Sequence, residues 1–411
     1  MTPRHPGLST LAIHGLPHRR ADWTPVVAPV FQSSTFVNPV GSSEEVLYTR
    51  YGNNPNQVDL ARKYALLEGA EAAVFLSSGM GATALAHLAV LRPGDHLLAS
   101  EWIYGGTRRL FDDELGRFGI EVSYVDPTQH RLWRKSVRKS TRAIFIETPT
   151  NPTLRIIDLA PIAQVTKEFG LALLVDGTFA SPINLRPIEH GADVVITSAT
   201  KYLNGHSDVI AGAVAGSASF IEEVTRLMRL WGQSIDPHAA WLVERGLRTL
   251  AVRMDRHNAN GLEVARWAEA QDEFAAVHYP GLPGHPEHGY AREALQGFGG
   301  MVGLQLKGGV RAAERFLKKL KMIAHAPSLA GVESLISELE LCLADGDVEG
   351  ARAALEEAEE LAGEDDPDVR YARALIAQET GDLDLAVSEL KAVLEGSLEA
   401  PTRHPIDWRS P

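Results

Sequence analysis

A single cysteine, Cys342, occurs in the 411 residues, which excludes an internal disulfide framework and makes a reducing compartment the default. No run approaches the roughly 18 to 20 apolar residues that a membrane-spanning helix needs, and the opening MTPRHPGLSTLAIHGLP lacks the continuous apolar stretch of a secretory leader. A cytoplasmic location is therefore expected. Basic residues number 40 against 53 acidic ones, a net charge of -13, and no basic patch or basic helix stands out. Nucleic acid and anionic membranes are accordingly poor candidate partners. The acid excess is local: Ser337 to Gly396 holds 18 acidic and 4 basic residues, which leaves 35 acidic and 36 basic residues elsewhere.

What is present suits a soluble globular chain. Hydrophobic residues make up 45% and charged residues 23%, enough for a large core, and the length suggests about two or three domains. Residues 1–55 are rich in Pro, Ser, Thr and Asn and read as an extended N-terminal arm. Residues 56–250 read as a large ligand-binding domain, 251–336 as part of a smaller C-terminal α/β domain, 337–398 as acidic helices and 399–411 as a tail. In the large domain AAVFLSS, DHLLAS, RAIFIET, LALLVD, DVVITS and IAGAVAG alternate with helical stretches such as GMGATALAHLAVL. That alternation predicts an α/β fold with a mostly parallel sheet flanked by helices, and ligands gather at the carboxyl ends of such strands.

Three strand ends carry chemistry. LALLVD ends at Asp176, DVVITSATK ends at Lys201, and AAVFLSSGMG ends at Ser77-Ser78-Gly79-Met80, opening a helix whose amides and dipole suit a phosphate. Alone, a strand-end Asp reads as a turn residue and a strand-end Lys as a solvated gatekeeper; their joint occurrence argues for a site. An acid, an amine and an anion cradle together fit pyridoxal phosphate. A partly desolvated lysine offers a free amine to an aldehyde, and a carboxylate keeps the pyridine nitrogen protonated. Ser198, Thr200 and the backbone at Gly79 and Met80 are the candidate phosphate contacts.

SATKYLNGHSDVIAG, ETPTNPTLRIIDL, VDGTFASP, YTRYGNNP, SSGMGAT and YGGT, with RGLRTLAVRMDRH and PSLAGVESLI further on, resemble the motifs of the Cys/Met-metabolism pyridoxal-phosphate enzymes. The family includes cystathionine gamma-synthase, cystathionine gamma-lyase, methionine gamma-lyase and the O-acylhomoserine sulfhydrylases. The resemblance runs from about residue 8 to Ile336, and its motifs keep the family's order. It implies pyridoxal-phosphate transferase fold type I, with Lys201 carrying the cofactor as a Schiff base and acting as general base. It further implies Asp176 at the ring nitrogen, Asn151 near the ring hydroxyl, Tyr104 stacked on the ring and Ser328 at a substrate position. Such stacking contributes about 0.5–1.5 kcal/mol beyond buried area. Tyr48 and Arg50 are implied to reach the phosphate of a neighbouring subunit, so a homo-oligomer, a dimer of dimers with shared sites, is expected. The implied reaction is gamma-elimination or gamma-replacement on a sulfur amino acid or an O-acylhomoserine.

The pattern has departures. Gly177 stands where the family usually has Asn, Pro327-Ser328 where Glu-Ser is frequent, and no counterpart of the family's carboxylate-binding arginine aligns; Arg403 and Arg409 lack its context. Instead Gly346-Asp347 recurs at Gly381-Asp382, a spacing close to the tetratricopeptide period of about 34, with Ala351 and Ala386 and then Leu355 and Leu390 in phase. This segment resembles about two tetratricopeptide repeats, or a pair of acidic hairpins packed on the enzyme body. Two readings follow: an active enzyme with a helical module, or an impaired cofactor-binding scaffold whose helices bind a protein partner. GFGGMVGLQL at 297–306 reads as entry to a strand, because the strand-first context of nucleotide binding is missing. His285 and His288 sit in a Pro/Gly loop without further ligands, so no metal is expected, and Cys342 reads as core.

Overall fold

A computed structural model describes residues 7–15, 25–41 and 45–337, together with Arg370, Arg373 and Ser388. One compact unit comprises the described residues up to Asp272 with Ala276–Leu304 and Ala326–Ile336; a second includes Glu273–Ala275 and Gln305–His325. The segment 337–398, apart from those three residues, and the tail with Arg403 and Arg409 lie outside the described residues, as does Cys342.

The first unit opens with helix α1 (Leu8–His14) and an arm that leads to α2 (Pro55–Glu68). Asn54 starts α2 because its side chain accepts from the helix while Gln57 accepts back from Asn54, with Pro55 in the first turn, where a missing N–H costs nothing. There follow β1 (Ala72–Leu76), α3 (Gly79–Val90), β2 (His96–Ser100), α4 (Gly105–Arg109), β3 (Glu121–Val125), α5 (His130–Ser136) and β4 (Thr141–Glu147). Next come α6 (Leu159–Phe169), β5 (Ala172–Asp176), α7 (Ser181–Asn184), β6 (Val194–Ser198), β7 (Gly212–Gly216), α8 (Ala218–Trp231), α9 (Pro237–Leu247) and α10 (Leu250–Glu269).

The seven strands form one sheet in the order β1-β7-β6-β5-β4-β2-β3. β2, β3, β4, β5 and β6 run parallel, and β7 is antiparallel to both β1 and β6. The strands read as unbroken apolar runs because both faces are covered. Val74, Leu76, Leu97, Ala99 and Phe145 pack in a cluster with Leu85 of α3 and Val224 of α8. Leu98, Ile144, Ile146, Leu173 and Val175 pack on the other face with Ile162 and Val165 of α6. Each such aliphatic side chain stabilises the fold by about 1.5–3 kcal/mol through burial. This is the mostly parallel, helix-flanked sheet expected from the strand-helix alternation, and it agrees with the fold type I that the family resemblance implies. β3 was not among the strands expected: EVSYV is an edge strand, exposed at Glu121, and has no continuous apolar run.

β3 and β4 lie on opposite sides of β2, so the chain reverses its direction of progression there. The carboxyl ends beside such a reversal leave a crevice. In the remainder of the first unit, α11 (His288–Ala294) packs Ala291 against Ile156 and Leu185. In the second unit, Lys307 N–H donates to the Glu273 carbonyl at 2.9 Å, and Phe316 of α12 (Gly309–Leu317) meets Phe274 edge to face.

Candidate active site

The parallel register sets Glu147, at the end of β4, beside Asp176, at the end of β5. Burial raises both carboxyls above their ordinary pKa, and the negative charge of Asp176 raises Glu147 further. No Lys, Arg or His among the described residues forms an ion pair with either group. The turn after β5 is built on Asp176: Thr178 N–H donates to its Oδ1 at 2.9 Å, and the Thr178 hydroxyl oxygen accepts from Ser198 N–H at 2.8 Å. Thr178 thereby joins the ends of β5 and β6.

Lys201 follows β6 in a tight turn. Its N–H donates to the Ser198 carbonyl at 3.1 Å, and its own carbonyl accepts from Gly205, whose φ of 70° suits glycine. Arg253 donates to the carbonyls of Tyr202 at 2.8 Å and Gly246 at 2.9 Å, bracing that turn. The Lys201 ammonium is half-buried and donates to Ser328 Oγ at 3.0 Å; desolvation lowers its pKa.

The start of α3 lies against the end of β6. A Cβ on Gly79 would stand 2.9 Å from both Cβ and Oγ of Ser198, and one on Gly212 would stand 2.2 Å from the Ser78 carbonyl oxygen. Only glycines permit that approach. Ser78 caps α3 by accepting from Gly81 N–H at 3.0 Å, which leaves the amides of Gly79 and Met80 at the open helix end. The Thr200 hydroxyl works locally, accepting from Ala211 N–H at 3.0 Å and lying 3.2 Å from the Ala211 carbonyl.

Tyr104 precedes α4 and is 49% exposed. A Cβ on Gly106 would lie 2.5 Å from the Tyr104 ring, so the ring rests where another residue type would displace it. Tyr104 N–H donates to Glu147 Oε2 at 2.6 Å, and Asn151 N–H donates to Glu147 Oε1 at 3.0 Å. Sequence reasoning assigned no role to Glu147 or Thr178, although Glu147 ends its strand as Asp176 does. Tyr48 and Arg50 belong to a different cluster: Arg50 donates to the Arg229 carbonyl and faces the rings of Tyr48 and Tyr51 at 5.4 and 5.2 Å. His288 bonds the Pro280 carbonyl, His285 is buried next to Glu287, and no metal-holding group of three ligands exists among the described residues.

These groups fit pyridoxal phosphate. A buried carboxylate pair lacking a cation calls for a positively charged ring nitrogen, a half-buried amine calls for an aldehyde, and an open helix end beside a serine hydroxyl calls for an anion. Residues 9–342 match the family described as Cys/Met metabolism PLP-dependent enzyme. The chain is 40% identical over 315 residues to a cystathionine beta-lyase of Coxiella burnetii, covering 76% of this chain and 81% of that protein. It is 37% identical over 341 residues to an L-methionine gamma-lyase of Pseudomonas putida, covering 80% and 85%. A crystal structure of cystathionine gamma-lyase from Lactobacillus plantarum complexed with L-serine superposes with a TM-score of 0.77 at 33% identity, covering 80% of this chain and 86% of that one.

Proposed function

Since this chain belongs to the Cys/Met metabolism PLP-dependent enzyme family, we propose that Lys201, Asp176, Tyr104, Asn151 and the Ser78–Met80 helix start form its working catalytic site. Its chemistry is pyridoxal-phosphate-dependent trans-sulfuration: lyase or transferase reactions on sulfur amino acids. The proposed substrates are cystathionine, methionine or an O-acylhomoserine, with elimination or replacement at the gamma carbon as the principal reaction. The observation that carries this reading is the Lys201 amine, half-buried, hydrogen-bonded to Ser328 and lowered in pKa by desolvation.

Pyridoxal phosphate, when bound, supplies an electrophilic aldehyde and a ring that draws electrons from the alpha carbon of an amino acid. The Nζ of Lys201 would accept the alpha proton, its lowered pKa leaving more of the amine neutral and free to do so, and Ser328 Oγ directs it by taking its hydrogen bond. Asp176 would balance the charge of a protonated ring nitrogen, and Thr178 fixes the orientation of that carboxylate. The amides of Gly79 and Met80, with Ser198, hold the phosphate. Tyr104 would cover the cofactor ring against water, and Asn151 would hold its hydroxyl. Tyr48 and Arg50, on the arm where Arg50 meets the Arg229 carbonyl of α8, serve the site of a second copy, so the active form is a homo-oligomer, a dimer of dimers. The complete amine, acid and anion-cradle set supports the active reading over an impaired scaffold.

The test is product analysis of the purified full chain with cystathionine, methionine and O-succinylhomoserine. Release of 2-oxobutyrate, or of cystathionine when cysteine is added to the acylhomoserine, supports gamma chemistry. Pyruvate from cystathionine would move the assignment to beta-elimination, and no product from any substrate would defeat it.

A further inference from the structure

We propose that Glu147 is a positioning residue that locks the Tyr104 and Asn151 loops to the sheet beside Asp176, so that one carboxylate sets the geometry of two cofactor contacts. This rests on the reading that Tyr104 stacks on the ring and Asn151 meets its hydroxyl. Glu147 is 4% exposed, and each of its oxygens takes one backbone N–H: Oε2 from Tyr104 at 2.6 Å and Oε1 from Asn151 at 3.0 Å. Those donors come from loops following different strands, β2 and β4, and Glu147 stands in register with Asp176 on a third, β5. A carboxylate is the one side chain of this length whose two oxygens both accept only.

A buried charge without a cation is expensive, and a purely structural staple has no need of it. Among the described residues no ion pair relieves Glu147, and the charge that acts on it is the like charge of Asp176, its register partner. The arrangement becomes favourable when a cationic ring nitrogen sits beside the pair. Glu147 and Gly106 act together on the stacking ring: one anchors the Tyr104 backbone, and the other leaves the space the ring fills.

The experiment titrates cofactor-stripped full chain with pyridoxal phosphate, read by tryptophan fluorescence, for wild type, Glu147→Gln, Glu147→Asp, Tyr104→Ala and the Tyr104→Ala/Glu147→Gln double variant. The glutamine presents an amide N–H where an acceptor is required, so its Kd is expected to rise at least about 10-fold. Glu147→Asp, one methylene shorter, is expected to lose affinity as well. In the Tyr104→Ala background the Glu147→Gln loss shrinks by about 3-fold or more, because part of what Glu147 positions is gone. An unchanged Kd in Glu147→Gln, an equal loss in both backgrounds, or failure of both Glu147 variants to fold would each overturn the proposal. A wild-type chain that does not bind pyridoxal phosphate would instead overturn the cofactor reading beneath it.

Discussion

Lys201 is less basic than a lysine in water because its ammonium has lost hydration and, among the described residues, has gained a serine hydroxyl as acceptor. The rate of cofactor capture should therefore rise with pH and level off below 10.5, the ordinary lysine value; a stopped-flow pH series that still climbs past it would contradict this. Glu68 lies buried behind the sheet, bonded to Tyr64, and burial pushes its pKa up to about 8. The folded state thus holds a proton that the unfolded chain releases near 4.5. Its stabilising effect is complete below 4.5 and is lost as pH rises toward about 8. Glu68→Gln should flatten that decline: its melting temperature should fall less between pH 6 and 9 than that of the wild type. As members of the candidate site, Lys201, Asp176 and Ser78 could be proposed from sequence because each ends an apolar run with an unexpected polar group. Glu147 and Thr178 were not, since their roles depend on which strands lie side by side and which N–H groups reach them.

Close contact between elements shapes the proposed anion cradle. α3 begins against the end of β6 because Gly79 and Gly212 have no Cβ, and the space at Gly79 is taken by the Ser198 side chain. Gly79→Ala should force the helix start away from the strand, weakening pyridoxal phosphate binding at least about 10-fold while costing the fold roughly 1–3 kcal/mol through overpacking. Isothermal titration and thermal unfolding would separate the two effects. The doubly covered strands announced themselves as apolar runs. β3 did not, because an edge strand is covered incompletely, and its identity came from the register that pairs His96–Ser100 with Glu121–Val125. The antiparallel sense of β7 was equally hidden: GAVAG carries no mark of direction, and its placement between β1 and β6 follows from the tertiary path.

At the scale of the molecule, strand-helix alternation was enough to read the sheet class, and the order of the motifs was enough to read the family. The proposed contacts from Ser78 to Ser328 all fall within the first compact unit, and the family match ends at residue 342. A chain ending at 342 should therefore bind pyridoxal phosphate within about 3-fold of the full chain, equivalent to less than about 0.7 kcal/mol, in the same fluorescence titration. Repeat-like spacing made 337–398 readable only as a pattern, because a repeat shows its period without showing what it packs on. The whole account depends on the nitrogen of Lys201 being the group that holds the cofactor. Borohydride reduction of the loaded full chain, followed by peptide mass mapping, tests it most directly: the pyridoxyl mass should appear on the peptide containing Lys201 and vanish in Lys201→Ala, whereas a stable adduct on another lysine, or none, would contradict it.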